Sequence, residues 1–139
     1  MLMNRILVDT NVLVYSIDED SKFNSRAIKL LTNPNYDLYT TSKNLSEFLV
    51  VLTKGIEVPL TIKETVDLLE GLMANLTILY PSKNSFRQFK KLVLKYKPRG
   101  LKIHDFENVS IGLENGIKHV ATINIKDFKS IDELHLIEF

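Results

Sequence analysis

Cysteine is absent from this 139-residue chain, which removes disulfide staples, thiolate metal sites and thiol nucleophiles together. Long apolar runs are missing too, since none approaches the roughly 20 residues that a membrane span needs. The opening segment Met1–Asp9 has only a short apolar stretch and ends on a carboxylate, whereas a signal peptide needs a longer run and a small-residue cleavage site. Charge of one sign is lacking as well. Eighteen Lys plus Arg stand against seventeen Asp plus Glu, for a net charge of +1, so global charge names no partner. No internal repeat, low-complexity stretch or linker interrupts the chain. What is present is 45% hydrophobic and 25% charged residues, the balance of a globular domain rather than a disordered segment. The length suits one core. The expectation is a single intracellular, cytoplasmic domain over residues 1–139, with no membrane contact.

The local patterns alternate between strand and helix. Arg5–Val8 is a short apolar run bounded by charge, predicted as a buried strand, and Asn11–Ile17 as a short helix. Ala27, Leu30 and Leu31 lie at helical spacing before the turn residues Asn33-Pro34-Asn35. Asp37–Thr41 is predicted as a strand with Leu38 and Thr40 facing opposite to Tyr39. Ser42 is expected to cap a helix running to Lys54, striped by Leu45, Phe48, Leu49 and Leu52 and ended at Gly55. Thr61–Glu64 has the form of a capping box, and Ser85–Gln88 is expected to be a second. Between them, Leu76–Tyr80 alternates as a strand. Asp105–Asn115 is predicted as a helix, and His119–Thr122 and Leu134–Ile137 as the last strands. Such alternation predicts an α/β domain, a central parallel sheet flanked by helices on both faces.

Three acids attract attention in that frame. Asp9 directly follows the first strand, and ligands in open α/β sheets collect at the carboxyl ends of strands; it is equally placed to cap the following helix. Glu47 sits among Leu45, Phe48, Leu49, Val50 and Val51, so it either points to solvent or needs a partner. Asp105 is a natural helix N-cap, and a helix start on the same sheet edge would face the same crevice. Thr122, Asn124 and Asp127 follow the fourth strand. Carboxylates about 5 Å apart repel by about 3 kcal/mol at an effective dielectric of about 20, a cost that a divalent cation removes. Oxygen ligands without Cys, in a chain with three His, indicate Mg²⁺ or Mn²⁺ rather than Zn²⁺.

The ordered motifs Val8-Asp-Thr-Asn-Val-Leu-Val-Tyr15, Asn44-Leu-Ser-Glu-Phe48, His104-Asp105 and Ala121-Thr-Ile-Asn-Ile-Lys-Asp-Phe128 resemble those of the PIN-domain ribonuclease family, which includes the toxins of VapBC toxin–antitoxin pairs. The resemblance covers essentially the whole chain. It implies a PIN-like fold and a Mg²⁺- or Mn²⁺-dependent ribonuclease leaving a 5′-phosphate. Asp9, Glu47 and Asp105 correspond to the family's three acidic metal-binding residues. Many members carry an acid where this chain has Asn124, so Asn124 and Asp127 share the fourth position. Thr10, Asn11, Ser46 and Thr122 are expected to orient the acids. A cognate antitoxin and a homodimer, with Thr61–Met73 as one available face, are the partners implied.

Substrate binding has a separate signal. Arg87, Lys90, Lys91, Lys95, Lys97, Arg99 and Lys102 fall in a stretch without an acid between Pro81 and His104, a pattern that fits either a phosphate backbone or a solvated helix face. Phe86, Phe89 and Tyr96 are expected in the core, and His104 as a packing or helix-entry residue. Two other functions compete. A haloacid-dehalogenase-like phosphatase also uses an Asp after its first strand, but wants a second Asp where this chain has Asn11. A non-catalytic RNA- or protein-binding module on a decayed scaffold would tolerate Asn124.

Overall fold

A computed structural model of the protein describes residues 4–55 and 58–139. Five parallel strands form one sheet in the order β3-β2-β1-β4-β5, with β1 at Asn4–Val8, β2 at Tyr36–Thr41, β3 at Thr77–Leu79, β4 at His119–Ala121 and β5 at His135–Leu136. The helices are α1 (Thr10–Ile17), α2 (Asn24–Leu31), α3 (Ser42–Lys54), α4 (Ile62–Met73), α5 (Lys83–Tyr96), α6 (Lys102–Glu114) and α7 (Ile125–Phe128). This is the α/β architecture expected from the alternation of patterns.

The strand period of two divides the core into two layers. Ile6, Val8 and Leu38 pack with Val12, Leu13, Phe48 and Leu52 beneath α1 to α4. Leu7 and Tyr39 turn to the opposite face, with Leu92, Phe106, Val109 and Val120 beneath α5 and α6. Opposite orientations of Leu38 and Tyr39 are therefore as expected. The chain builds β1, β2 and β3 outward in one direction, then returns to add β4 and β5 on the other side of β1. The order reverses at the β1/β4 boundary, the position where open sheets of this kind form a crevice beyond their carboxyl ends.

Helix starts differ from expectation in three places. Thr41 rather than Ser42 caps α3, its side chain accepting from Asn44 N. Ser82, with Ser85 as its partner three residues on, makes the capping box of α5. The Ser85–Gln88 box is one helical turn late. α6 begins at Lys102 with no side-chain cap, so Asp105 lies within its first turn rather than at the cap. α7 has no counterpart among the elements the sequence predicts, because its four residues are too few to show a helical period. Gly55 ends α3 with φ of 98°, and a Cβ there would lie 2.8 Å from Pro59 N, which explains a glycine at that stop.

Candidate metal-binding active site

The crevice at the β1/β4 boundary is built by backbone first. Asp9 N donates to Ala121 O at 3.0 Å, which ties the ends of the two strands together and places Asp9 beside Thr122. Asp9 also caps α1, with Oδ1 accepting from Thr10 N at 2.9 Å. Its Oδ2 accepts from Thr122 Oγ1 at 2.8 Å. The same hydroxyl accepts from Asn11 Nδ2 at 3.2 Å and from Asn124 N at 3.0 Å. Two donors therefore occupy its lone pairs and its proton is directed at the carboxylate. Asn11 Oδ1 in turn accepts from Ile123 N at 3.2 Å. With both ends of its amide engaged in holding the β4 exit loop, Asn11 is a positioning group rather than a replacement for a phosphatase's second acid.

Glu47 is aimed from below. Thr10 Oγ1 lies 3.2 Å from Glu47 Oε2 and 2.8 Å from Asn44 Oδ1. Asn44 is buried and donates to Val8 O and Thr40 Oγ1 at 3.2 Å each. Asn44 is the supporting residue that the sequence motifs contained but did not single out. Ser46, expected to orient the acids, instead donates to Ser42 O of its own helix at 3.2 Å. From α3, Ser46 still faces the cleft. Its hydroxyl is simply taken up by the preceding turn, where a backbone carbonyl is always within reach.

Glu47, Lys102, His104, Asp105, Asn124 and Asp127 line a cleft of about 540 Å³. His104 is exposed on its wall rather than packed. Burial pushes Asp105 up to about 7, with the charges of Asp9, Asp127 and Glu47 adding to the rise and Lys102 opposing it. Burial likewise raises Asp9 to about 6 against the lowering effect of Thr122 and Thr10, with Glu47 and Asp127 again contributing. The four acids thus share one field. Lys102 stands 3.7 Å from Asp127.

Hard oxygen donors crowded until two of them resist ionisation form a donor set that suits Mg²⁺ or Mn²⁺. Among the described residues, no group of three or more His, Asp or Glu side chains closes tightly enough as placed to hold an ion. Glu47 is held by Thr10 and Asp127 by Lys102, so both are engaged with protein partners rather than with one another.

The basic residues separate. Lys90 lies over the Phe86 ring at 5.5 Å, and Phe86 is exposed rather than in the core. Phe89 and Tyr96 do pack against the second core layer. Lys91 is exposed on α5. Lys95 is paired with Glu133 at 3.2 Å, whereas Lys97, Arg99 and Lys102 cluster at the entry to α6.

A family model described as PIN domain matches residues 6–134. Among solved structures, VapBC2 from Rickettsia felis, bound to a DNA fragment from its promoter, is similar at 20% identity and a TM-score of 0.75, covering 97% of this chain and 98% of that one. VapBC-1 from nontypeable Haemophilus influenzae is similar at 19% identity and a TM-score of 0.73, covering 96% of this chain and 97% of that one. VapC20 of Mycobacterium tuberculosis, described as a sarcin-ricin loop cleaving toxin, gives 12% identity and a TM-score of 0.72, with 91% and 95% covered. None of the curated proteins matches the chain in sequence.

Proposed function

The chain belongs to the PIN domain family, and from that premise we propose that it is a Mg²⁺- or Mn²⁺-dependent ribonuclease that hydrolyses RNA phosphodiester bonds, acting as the toxin of a toxin–antitoxin pair. The observation that carries this reading is the shared field of Asp9, Glu47, Asp105 and Asp127 at the β1/β4 boundary, which adds to the burial that pushes Asp105 up to about 7. Asp9 and Asp105 would hold the metal, with Glu47, Asn124 and Asp127 completing the oxygen set. Bound there, the ion would supply an activated water and offset negative charge developing on the scissile phosphate.

The protein's own residues do the remaining work. Thr122 and the Thr10 amide keep Asp9 in one orientation, and Thr10 directs Glu47 toward the cleft. Lys102 lowers the cost of ionising Asp105. Of the basic residues, Lys90, Lys91, Lys97 and Arg99 offer charge suited to an RNA backbone, with Lys95 and Lys102 beside them in ion pairs with Glu133 and Asp127, and such binding weakens as salt rises. A protein partner is supported by the VapBC assemblies to which the fold is similar. An apolar hollow of about 180 Å³ lined by Ile17, Ile28, Leu31, Leu38, Leu72 and Leu76 offers it a place to bury side chains. The expected homodimer and the cytoplasmic setting belong to the same proposal.

The test is RNA cleavage in Mn²⁺ by the wild type and by Asp9→Asn. Loss of cleavage in a folded variant is expected, and turnover at the wild-type rate would refute the assignment. A second reading, a non-catalytic binding module, draws on the open arrangement of the acids and on Asn124. Calorimetric titration with Mn²⁺ separates the two, because a decayed site should give no saturable binding. Induced expression should arrest growth of a host lacking the antitoxin if the toxin role is correct.

A further inference from the structure

Beside the carboxylate cleft lies a second hollow of about 310 Å³, whose polar walls are Lys97, Arg99, Lys102, Asp127, Ser130 and Tyr96. Lys102 and Asp127 line both hollows, so the two share a wall. Among the described residues, neither Lys97 nor Arg99 forms an ion pair, whereas Lys95 is tied to Glu133 and Lys102 to Asp127. Tyr96 is also committed, its hydroxyl donating to Glu133 and accepting from Asp132 N. The pair formed by Lys102 and Asp127 is neutral, which leaves the Lys97 and Arg99 charges uncompensated in a polar recess.

The backbone gives those two cations a fixed base. Lys97 closes α5 in the left-handed conformation, with φ of 52°, and its N–H donates to Val93 O at 2.8 Å. Pro98 then restricts the chain before Arg99. α6 opens at Lys102 without a side-chain cap, so the positive end of its dipole adds to the same field.

We propose that this recess is a phosphate subsite, which takes one backbone phosphate of the RNA strand next to the one at the carboxylates and so sets the register of the strand on the cleft. Arg99 presents a planar fork of donors that matches phosphate oxygens, and Lys97 and the Ser130 hydroxyl supply further donors. Lys90 and Lys91, on the open face of α5, attract the strand without fixing any one phosphate. The proposal rests on the ribonuclease reading above.

The experiment uses the whole protein and a set of RNA oligonucleotides, each carrying one uncharged methylphosphonate linkage at successive positions from the cleaved bond. A 2′-O-methyl group on the same nucleotide keeps that linkage stable, and matched oligonucleotides with 2′-O-methyl and an ordinary phosphate serve as references. One position should lower kcat/KM about tenfold for the wild type and have no effect in Arg99→Ala or in the Lys97→Ala, Arg99→Ala double variant. Lys90→Ala should leave that position's penalty intact while lowering binding of every oligonucleotide alike. A penalty that is the same in Arg99→Ala as in the wild type overturns the subsite while leaving the ribonuclease reading intact. So does a set in which no position is penalised. Wild-type protein that cleaves no RNA overturns both.

Discussion

Thr122 and Asp9, 113 residues apart in the chain, are joined by a hydroxyl–carboxylate hydrogen bond of 2.8 Å across the gap between β4 and β1. Thr122→Val keeps the shape of the side chain and removes that donor. It also strips Asn11 Nδ2 and Asn124 N of their acceptor. The expected cost is about 1–3 kcal/mol of stability, read by urea denaturation. Asp9, already at about 6, should titrate higher still. Mn²⁺ affinity should fall by about 10–100-fold, the usual effect of losing a group that orients a ligand. Unchanged affinity by calorimetry would free Asp9 from any dependence on Thr122.

The carboxyl of Asp105 couples folding to pH. Its folded value of about 7 lies above that of an unfolded carboxyl, so the folded state holds the proton more tightly. Without metal, the contribution of Asp105 to stability is therefore most favourable at low pH. It declines as pH rises from about 4 to about 7, and Asp9 contributes in the same direction up to about 6. Asp105→Asn removes the penalty. At pH 8 the metal-free variant should exceed the wild type by about 1–2 kcal/mol, allowing for partial solvent screening. At pH 4 the two should agree. Thermal denaturation at both pH values measures this, and an equal gain at pH 4 would show that charge is not its origin.

The strand-end acid was legible because an apolar run that stops at Asp9 already implies a buried strand meeting an exposed edge. Glu47 stood out as a charge within an apolar helix, and His104-Asp105 through its motif. The supporting groups were legible only in part. Asn44 and Ser46 are both small polar residues on α3, and which one supports the site depends on β2 lying beside β1, so that Asn44 meets Val8 O and Thr40. That is a tertiary fact with no local signature. The cap shifts have a simpler cause. Adjacent hydroxyls at Thr41 and Ser42, and two serines at Ser82 and Ser85, offer the same chemistry at neighbouring positions, and only the direction of the incoming strand selects between them.

Asn44 itself is open to test. It is almost fully buried and makes bonds to Thr10, Thr40 and Val8 O. Asn44→Ala leaves the Val8 carbonyl without one of its donors and frees the Thr10 hydroxyl to turn elsewhere. A loss of about 2–3 kcal/mol in urea denaturation is expected. Glu47 should lose its fixed orientation with it, lowering Mn²⁺ affinity by about tenfold. A variant that loses stability but binds Mn²⁺ as tightly as the wild type would show that Glu47 is oriented without help from Asn44.

Lys97 adopts φ of 52° and ψ of 51° at the end of α5, a conformation that costs a side-chain-bearing residue roughly 1–2 kcal/mol and that glycine tolerates freely. Lys97→Gly should therefore stabilise the protein by about 0.5–1 kcal/mol, the relief being partly offset by the greater freedom of glycine in the unfolded chain. Lys97→Ala keeps a Cβ at the same backbone angles and should show no gain. The contrast between the two isolates backbone strain from the loss of charge, because both remove the ammonium group. Chemical denaturation of the pair against the wild type decides it. Equal stability of the glycine and alanine variants would mean that the left-handed turn is not strained. If glycine alone is more stable, the residue found there is held against a local conformational cost, as expected where a cation at that turn serves binding rather than folding.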